Sequence, residues 1–369
     1  MKTEKKILKP EEQAVFALRE LYAGYGYLPY KMSRFEEYDL YVRNKDFLAS
    51  QQIITFADRT GKLLALKPDV TLSIIKNAPD EPGTVQKLYY NESVFRVDPA
   101  SHTLKEILQT GLECVGDLGS YEIGEVLLLA ARSLSLISDD FLLDISHMGL
   151  INAVLDSCGI PAENRKPILQ FLHQKNAHEM LSVCPDLSQD KKDKLYGLVA
   201  LSGAPAQVIS QMEALLTEEA ELEALGQLKQ LCSLLRQYES NIRIDLSVGN
   251  NMKYYNGVVF KGYLKGLPSS ILSGGQYDKL LEKMGRSSRA IGFALYLSML
   301  ERQSEQADLF DVDTLILHDG SLDAGALMAL AEDARHYGTV LVAAGTPANR
   351  RFRRQITVKN GEVEYLGHG

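Results

Sequence analysis

Three short blocks in the second half of the chain decide the fold. Residues 245–257 read DLSVGNNMKYYNG, residues 273–278 read SGGQYD, and residues 290–300 read AIGFALYLSML. Turn-forming glycines and asparagines stand here among apolar residues, which predicts strands and turns between 242 and 272 and a further buried strand or helix after Arg289. The first two blocks also supply three tyrosines that are candidates to line a ligand pocket, with ordinary core packing as the alternative: Tyr254, Tyr255 and Tyr277.

Length and composition are typical of a globular protein with more than one core. The chain has 369 residues, of which 45% are hydrophobic and 24% charged, and a formal net charge of −8. A single hydrophobic core rarely exceeds about 250–300 residues, which predicts two domains. No apolar stretch approaches the roughly 18 residues of a membrane span, and the N-terminus has no apolar signal segment. Four scattered cysteines without a C-x-x-C pair predict a reduced, cytoplasmic protein without a metal or other cofactor.

The order of the periodic segments predicts an α+β protein with a helical insertion. Helices are predicted at 10–25, 68–77 and 122–138, strands at 85–96 and 106–116, and a hairpin, with a turn followed by an apolar strand, at 58–66. From about 150 to 239 the chain changes to short helices separated by proline-containing turns, which predicts an insertion within a main domain of residues 1–304. A polar, acidic seam near 302–311 precedes a small C-terminal α/β domain, 311–369, in which Asn360-Gly361 predicts a β-hairpin.

Polar residues follow one face of the predicted strand at 106–116. Because side chains alternate along a strand, Gln109, Gly111 and Glu113 share a face, and the bare glycine would let a ligand approach the backbone. Arg96 belongs to the neighbouring predicted strand, and Asp69 precedes it in the chain. Such acceptors beside an arginine suit a zwitterion, whose ammonium the carboxylates would bind and whose carboxylate the guanidinium would bind. Taken singly, each of these residues is equally compatible with an ordinary salt bridge at a sheet edge.

In combination, these blocks resemble the histidyl-tRNA synthetase family of class II synthetases. In that family the three later blocks read roughly Arg-Gly-Leu-Asp-Tyr-Tyr, Gly-Gly-Arg-Tyr-Asp and Gly-Phe-Ala-x-Gly-x-Glu-Arg. Upstream, LKPDVT at 66–71 resembles the family's Leu-Arg-Pro-Glu-Gly-Thr, and KEILQTGLE at 105–113 resembles its Arg-Gln-Phe-His-Gln-x-Gly-Val-Glu. The resemblance covers about residues 11–300. It implies a class II synthetase-like antiparallel sheet of six or seven strands, flanked by helices, in a dimer.

The resemblance also implies a histidine site that has lost its catalytic charges. Each of the three later blocks carries an arginine in the family, and this chain has Asn250, Gln276 and Met299 at those positions. Guanidinium groups are the usual means of gripping triphosphate and stabilising phosphoryl transfer, so the resemblance implies that adenylation and aminoacylation are lost. The residues that it implies for histidine binding are Asp69, Thr71, Arg96, Gln109, Glu113, Tyr254, Tyr255 and Tyr277.

A subgroup of the family, the regulatory subunits of ATP phosphoribosyltransferase, resembles this chain more than the synthetases do. The runs DRTGKLLALKPDVT at 58–71, LQTGLE at 108–113 and VVFKGY at 258–263 carry this similarity. It implies a non-catalytic protein of histidine biosynthesis that binds histidine and a short-form catalytic subunit, as a homodimer within a hetero-oligomer. Lys253 and the short side chain of Asp69 depart from the subgroup's pattern and leave the affinity for histidine open.

Two other functions stay open at this level. One is an enzyme, either a divergent histidyl-tRNA synthetase or another amino-acid-activating paralogue, against which Met299 weighs most. The other is a free-standing amino-acid sensor without a phosphoribosyltransferase partner. Binding of tRNA is not expected, because the net charge is −8 and the one dense basic run, 350–354, contains a single aromatic residue. That run is predicted to be a solvated face or a partner contact.

Overall fold

The computed structural model describes residues 8–44, 53–98, 101–249, 255–300 and 310–367. Two units make up the chain, Met1–Met299 and Leu300–Gly369. Most of the predicted seam at 302–311 lies outside the described residues, so the domain boundary after residue 304 stays a prediction.

A nine-stranded sheet organises the described part of the first unit. The strands of this unit are β1 (Leu28–Pro29), β2 (Phe35–Glu37), β3 (Thr55–Ala57), β4 (Leu63–Leu66), β5 (Val85–Val97), β6 (Leu104–Gly116), β7 (Phe141–His147), β8 (Ser202–Gly203), β9 (Ile242–Asp245), β10 (Val258–Leu264), β11 (Leu272–Gln276) and β12 (Arg289–Tyr296). The nine-stranded sheet has the order β1-β5-β6-β12-β11-β10-β7-β9-β8, and a separate three-stranded sheet has the order β2-β4-β3.

The antiparallel sheet predicted from the family resemblance is confirmed in its centre and extended at its edges. The six strands from β5 to β7 in the sheet order pair antiparallel. The short strands β1 and β9 run parallel to their neighbours β5 and β7, and β8 closes the far edge. The predicted count of six or seven strands was therefore too low.

Helices flank this sheet and form the predicted insertion. In the first unit they are α1 (Pro10–Gly24), α2 (Tyr38–Arg43), α3 (Thr71–Asn77), α4 (Ser120–Ile137), α5 (Met148–Ser157), α6 (Ala162–His173), α7 (Ala177–Ser182), α8 (Gln189–Ala200), α9 (Pro205–Leu215), α10 (Glu219–Leu234) and α11 (Asp278–Lys283). The run from α5 to α10 is the helical insertion. In the described part of the chain, every helix is too short or too polar to span a membrane.

Helix α4 covers one face of the large sheet and leaves the other face to the candidate site. A Cβ at Gly262 of β10 would meet the side chain of Leu134, so Gly262 faces α4 and its neighbour Lys261 faces the opposite side. Across the sheet, Lys261 lies in one row of paired residues with Gly111 on β6, through its partners on β11 and β12, so both residues face the same side. The predicted site residues of β6 therefore lie on the face opposite α4.

The described part of the second unit, residues 310–367, contains a smaller sheet with one helix packed on it. Its elements are β13 (Val312–His318), α12 (Ala324–Arg335), β14 (Val340–Ala343), β15 (Phe352–Lys359) and β16 (Glu362–Gly367). The sheet has the order β14-β13-β15-β16, with the first three strands parallel. The predicted hairpin is confirmed, since Asn360 and Gly361 both have positive φ between β15 and β16, as a tight two-residue turn requires.

Two of the four arginines in the basic run at 350–354 form ion pairs with aspartates at the start of β13, and a third donates to a hydroxyl there. Arg351 pairs with Asp311 at 3.5 Å, and Arg353 pairs with Asp313 at 3.4 Å. Arg354 donates to the Thr314 hydroxyl at 2.6 Å. With these partners, the run resembles an ordinary polar face more than a surface that recognises a nucleic-acid backbone.

Candidate functional site

Glu113 lies at the centre of the candidate site and is only 2% exposed. The Thr71 hydroxyl donates to Oε1 at 2.6 Å, and the Tyr277 hydroxyl donates to Oε2. Burial raises the pKa of the Glu113 carboxyl to about 8, against the lowering effect of the two hydroxyls, and the negative charge of Asp69 raises it further. At neutral pH this carboxyl is mostly protonated in the absence of a nearby cation.

A glycine on the next strand makes room for this carboxyl. Gly292 of β12 is the register partner of Glu113, and a Cβ at Gly292 would overlap with the Glu113 carboxylate. Any side chain at position 292 would push the carboxyl away from Thr71 and Tyr277. The glycine of the third sequence block thus fixes the position of the central acid.

Asp69 and Thr71 reach the site from the segment that leads into α3. Asp69 accepts a hydrogen bond from the Leu72 amide at 3.0 Å, which caps the start of the helix. Burial raises the pKa of the Asp69 carboxyl, opposed by the Leu72 amide and by the charge of Arg96. Desolvation raises the pKa of both carboxyls, and the charge of Asp69 raises that of Glu113 further, so a cationic ligand would be favoured beside them.

Arg96 on β5 contacts the segment that leads into α3. Its Nε donates to the Pro68 carbonyl at 3.0 Å, next to Asp69. Along the strands, Arg96 lies opposite Lys105, four residues beyond Gln109. At the rise of a β-strand, Arg96 lies roughly 13 Å along the sheet from Gln109 and roughly 26 Å from Glu113, so the Arg96 backbone lies toward the outer end of the site and Glu113 at its inner end.

The expected role of Gly111 was wrong. Gly111 does share its face with Gln109 and Glu113, and both of these side chains are buried. However, a Cβ at Gly111 would lie 2.6 Å from the hydroxyl of Tyr90 and would overlap with the Phe293 carbonyl. The bare glycine accommodates Tyr90 and a neighbouring strand rather than leaving an approach for a ligand.

Tyrosine rings form another wall of the site. Tyr277 is buried, and Tyr255 packs against the same apolar cluster. Gly275 makes room for the second ring, since a Cβ there would lie 2.7 Å from Tyr255 Cε1. Tyr254, Asn250 and Lys253 lie outside the described residues, so their predicted roles stay predictions.

Gln276, at a position that holds arginine in the family block, lies in a closed polar network. Its amide donates to Asp278 Oδ2 at 2.7 Å, and the same oxygen accepts from Asn256 at 2.9 Å and from Arg289 at 3.2 Å. The other oxygen of Asp278 accepts from the Ala290 amide. Asp278 thus connects the end of β11 to the start of β12 by hydrogen bonds, and the Gln276 amide is one of the donors that hold it there.

Four residues of the site were missed from the sequence. Lys67 is buried and forms an ion pair with Glu92, which lies opposite Gln109 on β5. Tyr90 and Tyr296 belong to the same face, and Tyr296 is also a register partner of Gln109. Three of these residues could have been recognised in the sequence. Tyr90 and Glu92 are an even number of residues away from Arg96 and therefore share its face of β5, and Tyr296 stands where the family block has glycine.

Comparison with known proteins places the chain among relatives of known family. Residues 6–300 match the family described as histidyl-tRNA synthetase. The ATP phosphoribosyltransferase regulatory subunit of Alkaliphilus metalliredigens is 30% identical over 295 residues, which cover 77% of this chain and 74% of that protein.

Solved structures give the same picture at the level of the fold. The ATP phosphoribosyltransferase regulatory subunit/histidyl-tRNA synthetase from Bacillus halodurans superposes with a TM-score of 0.73 at 25% identity, covering 95% of this chain and 94% of that chain. A chain of the ATP phosphoribosyl transferase (HisG:HisZ) complex from Thermotoga maritima superposes with a TM-score of 0.60 at 19% identity, covering 77% and 96%. The second likeness shows the fold alone.

Proposed function

The chain belongs to the histidyl-tRNA synthetase family, in the group of ATP phosphoribosyltransferase regulatory subunits, and we propose that it is a non-catalytic regulatory subunit in histidine biosynthesis. It binds histidine at the Glu113 site and associates with a short-form catalytic subunit. The four cysteines are free, which suits action in the reducing cytoplasm.

The buried carboxyl of Glu113 and the half-buried carboxyl of Asp69 are the observation that carries the histidine proposal. Asp69 and Glu113 are deprived of water, and the raised pKa of each acid means that a cation would be bound favourably beside them. Tyr255 and Tyr277 supply flat apolar surface and hydroxyl groups for a ring. The Arg96 guanidinium lies beyond Asp69 and suits the ligand carboxylate. An amino acid with an aromatic, polar side chain meets all of these conditions.

Two of the positions that hold arginine in the family blocks support the proposed loss of adenylation. Gln276 is held by Asp278, and Met299 is a half-buried thioether. Neither can neutralise the charge that develops on a transferring phosphoryl group. Each lost contact of this kind typically costs about 2.7–4 kcal/mol of activation free energy. We therefore expect no histidine-dependent pyrophosphate exchange above background. Exchange at the rate of a true synthetase would establish the enzyme as the correct alternative.

Titration calorimetry with histidine and with histamine tests the site and its orientation. Histamine lacks the carboxylate, so Arg96→Ala should weaken the binding of histidine and leave that of histamine unchanged. Glu113→Gln should weaken both, because it removes the inner negative charge. Lys105→Ala is the matched control: Lys105 is the register partner of Arg96 and pairs with Asp98 outside the site.

Three outcomes of this titration would contradict the proposal in different ways. Equal histidine affinity for wild type and Arg96→Ala means that the carboxylate assignment is wrong. Equal losses in Arg96→Ala and Lys105→Ala mean that only the general electrostatic field matters. Absence of wild-type binding at millimolar histidine means that the pocket no longer serves histidine.

A further inference from the structure

We infer that Tyr296, the last residue of β12, closes the outer end of the candidate pocket and restricts it to an amino acid whose carboxyl group carries no bulky substituent. Amides, esters and mixed anhydrides with a large group on that carboxyl are excluded. This limit rests on the proposed function, since it concerns which derivatives of histidine the Glu113 site admits.

A patch of small side chains opens the middle of the large sheet to solvent. Ala294 on β12 and Ser273 on β11 are register partners, and both are partly exposed, whereas their neighbours along each strand are buried. Gly292 and Gly275 lie two residues further in on the same face and are buried. The missing Cβ of Gly292 makes room for the Glu113 carboxyl, so this is the face of the candidate site. A ligand beside Glu113 would rest on the two short side chains.

Tyr296 stands at the outer end of this patch. It follows Ala294 by two residues and therefore faces the same side, and it is the register partner of Gln109. Gln109 and Glu113 are four residues apart, which is roughly 13 Å along a strand. Arg96, which is proposed to bind the ligand carboxylate, lies further out in the same direction. The carboxyl end of a ligand held at Glu113 would thus point toward the Tyr296 ring.

The Tyr296 phenol lies among the polar groups of the site. Burial raises the pKa of the Tyr90 hydroxyl, the negative charges of Glu113 and Asp69 raise it further, and so does that of Tyr296. The Tyr296 phenol is therefore within electrostatic range of the same hydroxyl as the two acids. The family block has glycine at position 296, which would leave the outer end of the patch open. With tyrosine there, a large substituent on the ligand carboxyl would collide with the ring.

Two neutral derivatives of histidine that differ in bulk test this limit by titration calorimetry. Histidinamide and histidine benzylamide both lack the charge of the carboxylate, so the comparison does not depend on Arg96. The wild type should bind histidinamide at least about tenfold more tightly, because overpacking a filled site typically costs that much or more. Tyr296→Ala should remove this difference, since the ring no longer occupies the outer end. Tyr296→Phe keeps the ring and should discriminate between the amides like the wild type.

Tyr89→Ala is the matched control, because Tyr89 is also a partly exposed tyrosine of the large sheet but packs against Tyr22 on the opposite face. It should discriminate like the wild type, and an equal loss of discrimination in Tyr89→Ala would assign the effect to general loosening of the sheet. Equal affinity of the wild type for the two amides would overturn the inference alone. Continued discrimination by a Tyr296→Ala protein that still binds histidine would also overturn it. Absence of histidine binding to the wild type would instead remove the proposed function, and the limit with it.

Discussion

At the scale of single residues, Glu113 is the most costly group in the site when no ligand is bound. Its carboxyl is desolvated, and its nearest charged neighbour is another acid. The hydroxyls of Thr71 and Tyr277 reduce this cost but bring no positive charge. A group of this kind is typical of functional sites, because the missing counter-charge is supplied by the ligand.

The pH dependence of stability tests this view of Glu113. The pKa of Glu113 is about 8 in the folded protein, whereas the ordinary value of 4.5 applies to the unfolded chain. Between these two pH values the folded state therefore binds one proton more than the unfolded state. The contribution of Glu113 to the free energy of unfolding, measured as the difference between wild type and Glu113→Gln, should therefore fall as the pH rises from 5 to 8, by about 1.4 kcal/mol per pH unit. Glu113→Gln should remove this slope in denaturant titrations without histidine. Glu106→Gln, at an exposed position of the same strand, should keep it; equal slopes in all three proteins would contradict the buried acid.

The sequence predicted which residues meet in the site better than it predicted what each of them does. Gln109 and Glu113 were placed on one face by the period of a strand, which is a property of the local backbone. The neighbour of Gly111 was not predictable, because it depends on the register between β5 and β6, which brings Tyr90 opposite. Lys67 was missed for a similar reason: its partner Glu92 is distant in the chain.

At the scale of elements, His147 joins β7 to the helical insertion. It is the last residue of β7 and caps α5 by accepting the Leu150 amide at Nδ1, at 3.1 Å. Only a neutral imidazole can accept at this nitrogen. Burial lowers the pKa of His147 to about 4, in agreement with that role.

Acid titration of variants tests the cap. Because the pKa of His147 lies below its ordinary value of 6.5, its contribution to stability is present above pH 6.5 and is lost as the pH falls toward 4. The difference in unfolding free energy between wild type and His147→Asn should therefore shrink by about 1.4 kcal/mol per pH unit over this range. Asparagine keeps a cap acceptor, so at pH 7 His147→Ala should be about 1 kcal/mol less stable than His147→Asn. A pH-independent difference would show that His147 does not titrate as a buried cap.

Long elements were predicted within about two residues, whereas the shortest were missed. The strands predicted at 85–96 and 106–116 are Val85–Val97 and Leu104–Gly116. Two-residue strands such as β1 and β8 carry no detectable period, and they exist only because the backbone of a longer neighbour is unpaired at the sheet edge. Their absence from the prediction reflects tertiary pairing, which local sequence does not encode.

At the scale of the whole molecule, the three-stranded sheet presents aromatic surface to solvent. Phe35 and Phe56 lie on one face of this sheet, are 49% and 39% exposed, and stack edge to face with centroids 5.9 Å apart. We expect the predicted homodimer to cover this face, because exposed aromatic pairs are favoured where two proteins meet. The central strand of this sheet, β4, ends at Leu66 and leads directly into the segment that carries Asp69 and Thr71, so a dimer contact on this sheet would be connected to the site through the chain.

Sedimentation of variants tests the dimer contact. Phe35→Asp should weaken dimerisation at least tenfold, since burial of one aromatic side chain contributes about 1.5–3 kcal/mol. Leu104→Asp is the control, because Leu104 is 69% exposed on another part of the first unit. A Phe35→Asp protein that dimerises like wild type would place the contact elsewhere, and a monomeric wild type would remove the homodimer from the proposal.

The partnership with a catalytic subunit is the prediction that depends most on the whole molecule. Regulation means that histidine bound at Glu113 changes activity on another chain, and two such sites share a coupling free energy of about 1–3 kcal/mol, or roughly 5–150-fold. Mixing this protein with a purified short-form ATP phosphoribosyltransferase should give a larger complex on size exclusion and make phosphoribosyl transfer sensitive to histidine. Glu113→Gln should still form the complex but lose the sensitivity, because it removes a ligand contact and leaves the surface intact. Two separate peaks with unchanged activity would refute the partnership and leave a free-standing amino-acid sensor as the better account of the same pocket.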